Sequence, residues 1–566
     1  MTRKWFWRCA AVCVLFALIG GAAGAQKAIP EDADFWSDYP NEQLADFLVS
    51  RMSDEELLSQ IFMFGWKDDS ASLLNRWISE RGLGNVKVFG WNTDNLAYVA
   101  QGIAAMQRLS QNRRYKIPLF VATDQEGGWI RHVKGDTAVT PGNLAIGAGG
   151  YPIDAYYSGY YINREIKALG INMNFAPTVD IYTNHRSTVI GPRSFGEQAE
   201  YVGALGVAFV AGSVAAGVIP TAKHFPGHGD TDADSHGRSI EINLDAKTLN
   251  DRELLPFKYL ISEKIPAIMS AHLKFPRIEP NGPPVSLSKK FLTDILRNQL
   301  HYEGLIITDD MQMNGATSYA KISDACTLAI EAGNDIILSS DTAAWNEQLW
   351  EKNLALVRSD TAFRQTVRNA ARRVILHKLA YFKGGNAAPL FPDPATVSQY
   401  IPDREGQRFF LAQACRSVTV YKKGTIPYRP QPDERVLLAG HQEHPEFFAE
   451  AEKRLGKCAR FPYKADMGPY HAQWVNDNLV PLAQNYDTII ICVDSENNAA
   501  AIRNLQPLQR LGKRVIILSI QSPVPAMDLT WADSVIFGYS YSPYSFRAMF
   551  AVLAGDFEAK GSLPLK

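Results

Sequence analysis

Between Lys223 and His236 the chain reads KHFPGHGDTDADSH, with three His, three Asp and one Lys in fourteen residues. A carboxylate beside an imidazole can orient the ring and raise its basicity, giving a general acid/base near neutral pH. Asp234 and His236, two residues apart, form such a dyad, and Gly227, Gly229 and Gly237 allow the segment to fold over a bound molecule. A metal site is the rival use of His224, His228, His236 and the three Asp. These residues lack the i,i+4 spacing of a helical metal motif, and Gly and Pro exclude a regular helix, so no metal is expected. A second group follows at GLIITDD, which ends on Asp309 and Asp310. Side chains alternate along a strand, so the two cannot both address one pocket directly. One is a nucleophile and the other a cap or a ligand for backbone amides, and the residue types do not choose between them. Arg193, in GPRSFG, offers a guanidinium suited to holding a hydroxyl or a carboxylate. HQEH, from His441 to His444, fits neither orientation of the metalloprotease pattern and reads as loop.

These groups need strands to carry them. Eight short apolar runs recur after Asp32: QIFMFGW, NVKVFG, PLFVATDQEG, INMNFAPTVD, VIPTAKHF, AIMSAHL, GLIITDDM and DIILSS. Helix-like segments separate them, for example SDACTLAIEAG, where Gly333 marks the C-terminal stop. Apolar strands alternating with helices predict an α/β fold, a (β/α)8 TIM-type barrel over residues 32–382. Asp124 and Glu126, Asp180, Lys223 and His224, His272, and Asp309 fall at the C-terminal ends of these runs, where such barrels build their sites. Lys223 and His224 continue an apolar strand and should point into the barrel mouth. A Gly- and Pro-rich stretch then reads as a linker over residues 383–403. SVTVYKK, RVLLAG, YDTIIICVD, RVIILSI and SVIFGYS predict a smaller doubly wound α/β domain over residues 404–566.

At 566 residues the chain is too long for one core, and 46% hydrophobic with 21% charged residues is a globular composition. A net charge of −1 without a basic block argues against nucleic acid as a partner. Arg3, Lys4 and Arg8 precede CAAVCVLFALIG, and Ala23 and Ala25 follow at cleavage-site spacing. That layout reads as a signal peptide over residues 1–25 and implies an exported protein, periplasmic or secreted, rather than an uncleaved membrane anchor. No other segment reads as a membrane span. Outside the signal, Cys326, Cys415, Cys458 and Cys492 are widely spaced and read as isolated thiols.

KHFPGHGDT followed by DSH resembles the signature of glycoside hydrolase family 3, in its bacterial β-N-acetylglucosaminidase branch. DQEGG from Asp124, NFAPTVD from Asn174, RSFG from Arg193 and ITDDM from Ile307 follow in the family's order, and the resemblance covers roughly Asp46 to Leu376. It implies a barrel followed by an α/β sandwich, no cofactor, and a carbohydrate substrate with terminal β-linked GlcNAc. It further implies Asp309 as catalytic nucleophile, His236 as acid/base with Asp234 as its partner, and Asp124, Arg193, Lys223 and His224 as holders of the terminal sugar. Two departures stand out. Trp129-Ile130-Arg131-His132 replaces the family's Arg-Val-Gln-Arg, and Pro192 replaces the Asn before RSFG. They bear on contacts beyond the terminal sugar. The expected activity is retaining exo-hydrolysis of cell-wall or chitin-type saccharides. Alternatives on the same site are phosphorolysis, with phosphate in place of water, and a β-glucosidase or broad β-hexosidase. A non-catalytic glycan-binding protein would lack the nucleophile or the acid.

Overall fold

All eight apolar runs form strands in the computed structural model, which describes residues 28–67, 71–91, 93–231, 240–340, 343–464 and 470–566. The barrel strands are β1 (Phe62–Trp66), β2 (Asn85–Val88), β3 (Phe120–Thr123), β4 (Met173–Asn174), β5 (Ile219–Phe225), β6 (Ala267–Ser270), β7 (Leu305–Thr308) and β8 (Ile337–Ser339). They pair in parallel in chain order from β1 to β7, with β8 beside β1. A bridge from Ile307 to Ile336 brings the two ends of the sheet together.

Strand alternation sorts the side chains into two cores. Met63, Phe120, Ala122, Met173, Ile219, Met269, Leu305 and Ile307 fill the barrel interior as one cluster. Phe62, Phe64, Val86, Val121 and Ile337 face outward into a layer with the surrounding helices. Each strand is therefore apolar on both faces, which is why the runs read as continuous. The helix Ile322–Ala332 ends at Gly333 with φ 111°, the left-handed stop expected there.

Among the described residues one helix, Ala199–Ala216, is long and apolar enough to cross a membrane, contrary to the expectation of no such segment beyond the N-terminus. Its apolarity has a packing cause. It lies so close to helix Pro152–Ala168 that a Cβ on Gly212 would meet the Tyr156 carbonyl oxygen at 1.9 Å, and one on Gly159 would meet that of Phe209 at 2.3 Å. Such an approach excludes large side chains from the contact.

Beyond residue 403 a second sheet holds β9 (Thr419–Lys422), β10 (Val436–His441), β11 (Ala459–Tyr463), β12 (Thr488–Val493), β13 (Arg514–Ser519) and β14 (Ser534–Phe537). Its order is β9-β14-β13-β12-β10-β11, parallel except for β9. β11 was not read from the sequence. It is an edge strand with four of its five residues at least part-exposed and Pro462 among them, so it carries no apolar run. HQEH is split by the fold: His441 ends β10, and His444 precedes the helix Pro445–Leu455. The two units share a core, because Leu144, Ala145 and Tyr182 of the barrel join the cluster around β12 and β13. Arg416 also forms a bidentate pair with Asp154, with Nε to Oδ2 at 2.9 Å and Nη2 to Oδ1 at 2.5 Å.

Candidate active site

The C-terminal ends of the barrel strands deliver charged side chains into one cavity of about 440 Å³. Lys87 comes from β2, Asp124 and Glu126 from the end of β3, Lys223 and His224 from β5, and Asp309 and Asp310 from the end of β7. Arg193 enters on the 3-10 turn Gly191–Arg193. A larger cavity of about 770 Å³, lined by Pro266, Gly304 and Arg373, opens at the opposite, N-terminal end of the strands. It receives none of these groups.

Two adjacent residues of one strand should point to opposite faces, yet Lys223 and His224 both reach the cavity. A register shift accounts for this. Ala222 pairs with Ile268 and Phe225 with Ser270, so β5 carries one residue more than β6 between these pairs. An extra residue of this kind re-aims side chains next to functional sites.

The floor of the cavity is a charge network. Asp124 accepts ion pairs from Lys223 on Oδ1 and from Lys87 on Oδ2. Lys223 also pairs with Glu126 at 2.7 Å. Glu126 in turn accepts from Nη2 and Nε along one edge of the Arg193 guanidinium, at 2.7 and 2.9 Å. Burial alone would raise these carboxyls, but the cations outweigh it. Lys223 and Lys87 hold Asp124 well below the ordinary carboxylate range. Arg193 and Lys223 bring Glu126 from 4.5 to about 2. Burial would lower the Arg193 and Lys223 values, yet the same carboxylates hold both above the ordinary values. The network is therefore fully ionised and rigidly paired.

Beside it, Asp180 is wholly buried and orients His224. Oδ2 bonds His224 Nδ1 at 2.7 Å, and Oδ1 accepts the backbone N–H groups of His224 and His228 at 3.1 and 2.7 Å. Arg193 Nη2 lies 3.4 Å from His224 Nε2, which leaves that nitrogen as the acceptor. Burial, foremost, and the neighbouring His224 bring His228 down to about 4. At the cavity wall His132 is likewise brought down to about 4, chiefly by burial.

Strand register separates the two aspartates that the sequence left open. Leu305 and Ile307 face the barrel interior, so Asp309 continues that inward row. Its Oδ1 accepts the backbone N–H of Asp310 at 2.8 Å, and the residue lines the cavity. Burial pushes its pKa up, but His224, His272 and Lys223 outweigh this and hold it below the usual value. Asp310 turns its Oδ1 to the backbone N–H groups of Gln312 and Ser340, both at 3.1 Å. His272 sits below, accepting from Ser286 Oγ at 2.7 Å and donating from Nε2 to the Asp310 carbonyl at 3.0 Å.

The structure thus gathers Asp124, Arg193, Lys223, His224 and Asp309 around one cavity. Asp234 and His236 lie outside the described residues. The described stem leading to them is closely seated: a Cβ on Gly229 would fall 1.6 Å from the Ile181 carbonyl oxygen. Arg252 links that stem to the barrel, pairing with Asp230 at 2.7 Å and with buried Glu253 at 2.6 Å. Lys87 was not singled out from the sequence. A lone Lys within NVKVFG carries one signal: it stands in the strand Asn85–Val88, whose other members are buried.

Residues 54–376 match the family model described as the Glycosyl hydrolase family 3 N terminal domain. The chain is 37% identical over 260 residues to beta-hexosaminidase A of Pseudoalteromonas piscicida, a match covering 43% of each protein. It is 33% identical over 281 residues to the beta-hexosaminidase of Nitrosomonas eutropha, covering 47% of this chain and 78% of the relative. Its fold is similar to that of a glycoside hydrolase family 3 beta-N-acetylglucosaminidase from a Paenibacillus species. The TM-score is 0.80 at 26% identity, over 91% of this chain and 99% of that one.

Proposed function

The chain belongs to glycoside hydrolase family 3, and from that premise we propose that it is a retaining, exo-acting β-N-acetylglucosaminidase. The observation that carries the reading is the position of Asp309: an ionised carboxylate with one oxygen tied to the backbone, lining a cavity floored by paired charges. The hexosaminide specificity is supported by the beta-hexosaminidase relatives and the GlcNAc preference by the similarity to a beta-N-acetylglucosaminidase of the same family. The exo mode is supported by the family resemblance, and the packed barrel core gives the cavity a closed floor.

In the proposed reaction Asp309 Oδ2 attacks the anomeric carbon as the glycosidic C–O bond breaks. His236, oriented by Asp234, gives its proton to the leaving oxygen. His236 then takes a proton from water, which displaces Asp309 and releases the sugar with its original configuration. Asp124, Glu126, Lys223 and Arg193 present fixed donors and acceptors to the sugar hydroxyls, and their mutual pairing keeps them in place before the substrate arrives. His224 and His272 favour the ionised form of Asp309 that a nucleophile requires.

Replacing Asp309 by Ala should reduce turnover of a chromogenic GlcNAc glycoside by roughly 10⁴-fold or more, in line with the loss of a covalent nucleophile. A near-wild-type rate would end the assignment. Release of free GlcNAc in phosphate buffer is expected, and accumulation of GlcNAc 1-phosphate would establish phosphorolysis instead. Equal turnover of the matching glucoside would make the enzyme a broad β-hexosidase. We also propose export through residues 1–25, with the mature protein periplasmic or secreted, supported by the basic-apolar-small layout of that segment.

A further inference from the structure

At the N-terminal ends of the barrel strands, away from Asp309, the surface carries a cleft of about 550 Å³. Lys167 and Ala168, which lead into β4, and Ala215 and Ala216, which lead into β5, line one side. The chain that follows the helix Thr361–Phe382 lines the other, with Phe391 and Tyr400. The cleft continues beyond these residues. Asn386 also lines a neighbouring cavity of about 370 Å³, which in turn shares Lys264, Pro266 and His377 with the cavity of about 770 Å³. The three form one furrow along this end of the barrel, a shape for an elongated ligand rather than a compact one.

The wall that carries Phe391 and Tyr400 is fixed to the barrel. Val397 and Ile401 are buried in the outer core. Lys167 Nζ donates to the backbone and side-chain oxygens of Asn386 at 3.0 and 2.8 Å, and the Ala388 N–H donates to Tyr381 Oη at 2.8 Å. Yet the same segment leaves two large rings in solvent: Phe391 is 46% exposed and Tyr400 57%. A single exposed ring needs no explanation, but these two line one cleft together with Tyr160. The cations of the cleft are already engaged. Arg164 pairs with Asp403 at 3.1 Å and with Glu405 at 2.9 Å, and Lys167 is held by Asn386. An anionic ligand would meet no uncommitted cation in the cleft. Flat rings beside Asn386, Asp393 and Thr396 suit instead the C–H faces and hydroxyl groups of uncharged sugars.

We propose that this cleft is a second, non-catalytic glycan site. It holds an extended β-linked polysaccharide containing N-acetylhexosamine, with Tyr160, Phe391 and Tyr400 as stacking platforms. Bound there, the polymer keeps the enzyme at its surface while the cavity around Asp309 works on chain ends. The identity of the sugar rests on the proposed hexosaminidase activity; the platform itself rests on the exposed rings and the furrow.

The test mixes insoluble chitin or, separately, purified peptidoglycan with the full chain carrying Asp309→Asn, so that neither polymer is consumed. Cosedimentation should show saturable binding to at least one of them, and the one bound identifies the polymer. Adding Phe391→Ala and Tyr400→Ala should weaken that binding about tenfold or more, as two stacking platforms are lost. With Asp309 intact, the same two substitutions should leave kcat/KM on a small chromogenic GlcNAc glycoside within about twofold of the parent value. No binding by the parent, or binding unchanged by the ring substitutions, would overturn the site. An equal loss on the small substrate would also overturn it, by placing the effect in the catalytic cavity or in the fold. If binding depends on the rings and no GlcNAc glycoside is cleaved, the site stands and the hydrolase reading falls.

Discussion

Glu126→Gln removes one charge and almost no volume from the cavity floor. In the parent protein Glu126 is 1% exposed and accepts from both Arg193 and Lys223. Its pKa falls from 4.5 to about 2, and burial opposes that fall. Each pH unit is worth about 1.4 kcal/mol, so the ionised form contributes about 3 kcal/mol to the folded state. The sign follows from the lowered value: the contribution is complete above pH 4.5 and is lost as pH drops toward about 2. Two further considerations agree in size. Opposite charges about 4 Å apart at an effective dielectric near 20 attract by about 4 kcal/mol, and breaking a buried pair from one side costs about 3–5 kcal/mol. The amide of Gln keeps one acceptor but turns an N–H toward Arg193, so Lys223 keeps Asp124 as its paired carboxylate and Arg193 keeps only the longer-range charge of Asp180 and Asp124. Urea unfolding at pH 7 should show the variant about 3 kcal/mol less stable, with the difference shrinking below pH 4.5. Its kcat/KM on a GlcNAc glycoside should fall about 100-fold, because Arg193 loses its fixed orientation. A stability loss under about 1 kcal/mol at pH 7, with activity kept, would refute the view that this network is pre-paired around Glu126.

Lys87→Met should be milder, because Asp124 keeps Lys223 as a partner; we expect about 1–2 kcal/mol lost in urea and a rise in KM of about tenfold or more, whereas unchanged kinetics would remove Lys87 from the site. Burial, foremost, brings Glu253 up from 4.5 to about 7 despite Arg252, so its stabilising contribution is full below pH 4.5 and is lost as pH rises through about 7. The fall in stability between pH 5 and 8 should therefore be shallower in Glu253→Gln, and identical slopes would contradict the assignment. Protein recovered from outside the cytoplasm should begin at Gln26 by N-terminal sequencing, and an intact Met1 would show that residues 1–25 stay attached.

The barrel was legible because parallel strands buried on both faces must be apolar throughout, and the runs from QIFMFGW to DIILSS all meet that demand. β11 escaped because an edge strand has no such demand placed on it. The cavity residues were readable as polar groups at the ends of apolar runs, and Asp124, Arg193, Lys223, His224 and Asp309 do meet at one cavity. What the sequence could not supply was pairing. The division of labour between Asp309 and Asp310 needed the inward register of Leu305 and Ile307. The use of Lys87 needed the adjacency of β2 and β3, which places its ammonium on Asp124. The close approach of helix Ala199–Ala216 to Pro152–Ala168 through Gly212 and Gly159 is likewise a pairing that the order of residues does not display.

The account depends most on a covalent bond between the sugar and Asp309. Incubation with a 5-fluoro GlcNAc donor should trap the glycosyl-enzyme, and peptide mass mapping should place the added mass on the peptide containing Asp309, with fragmentation assigning it to that residue rather than Asp310. Label on another residue, or turnover of the donor with no covalent species at any time, would contradict it.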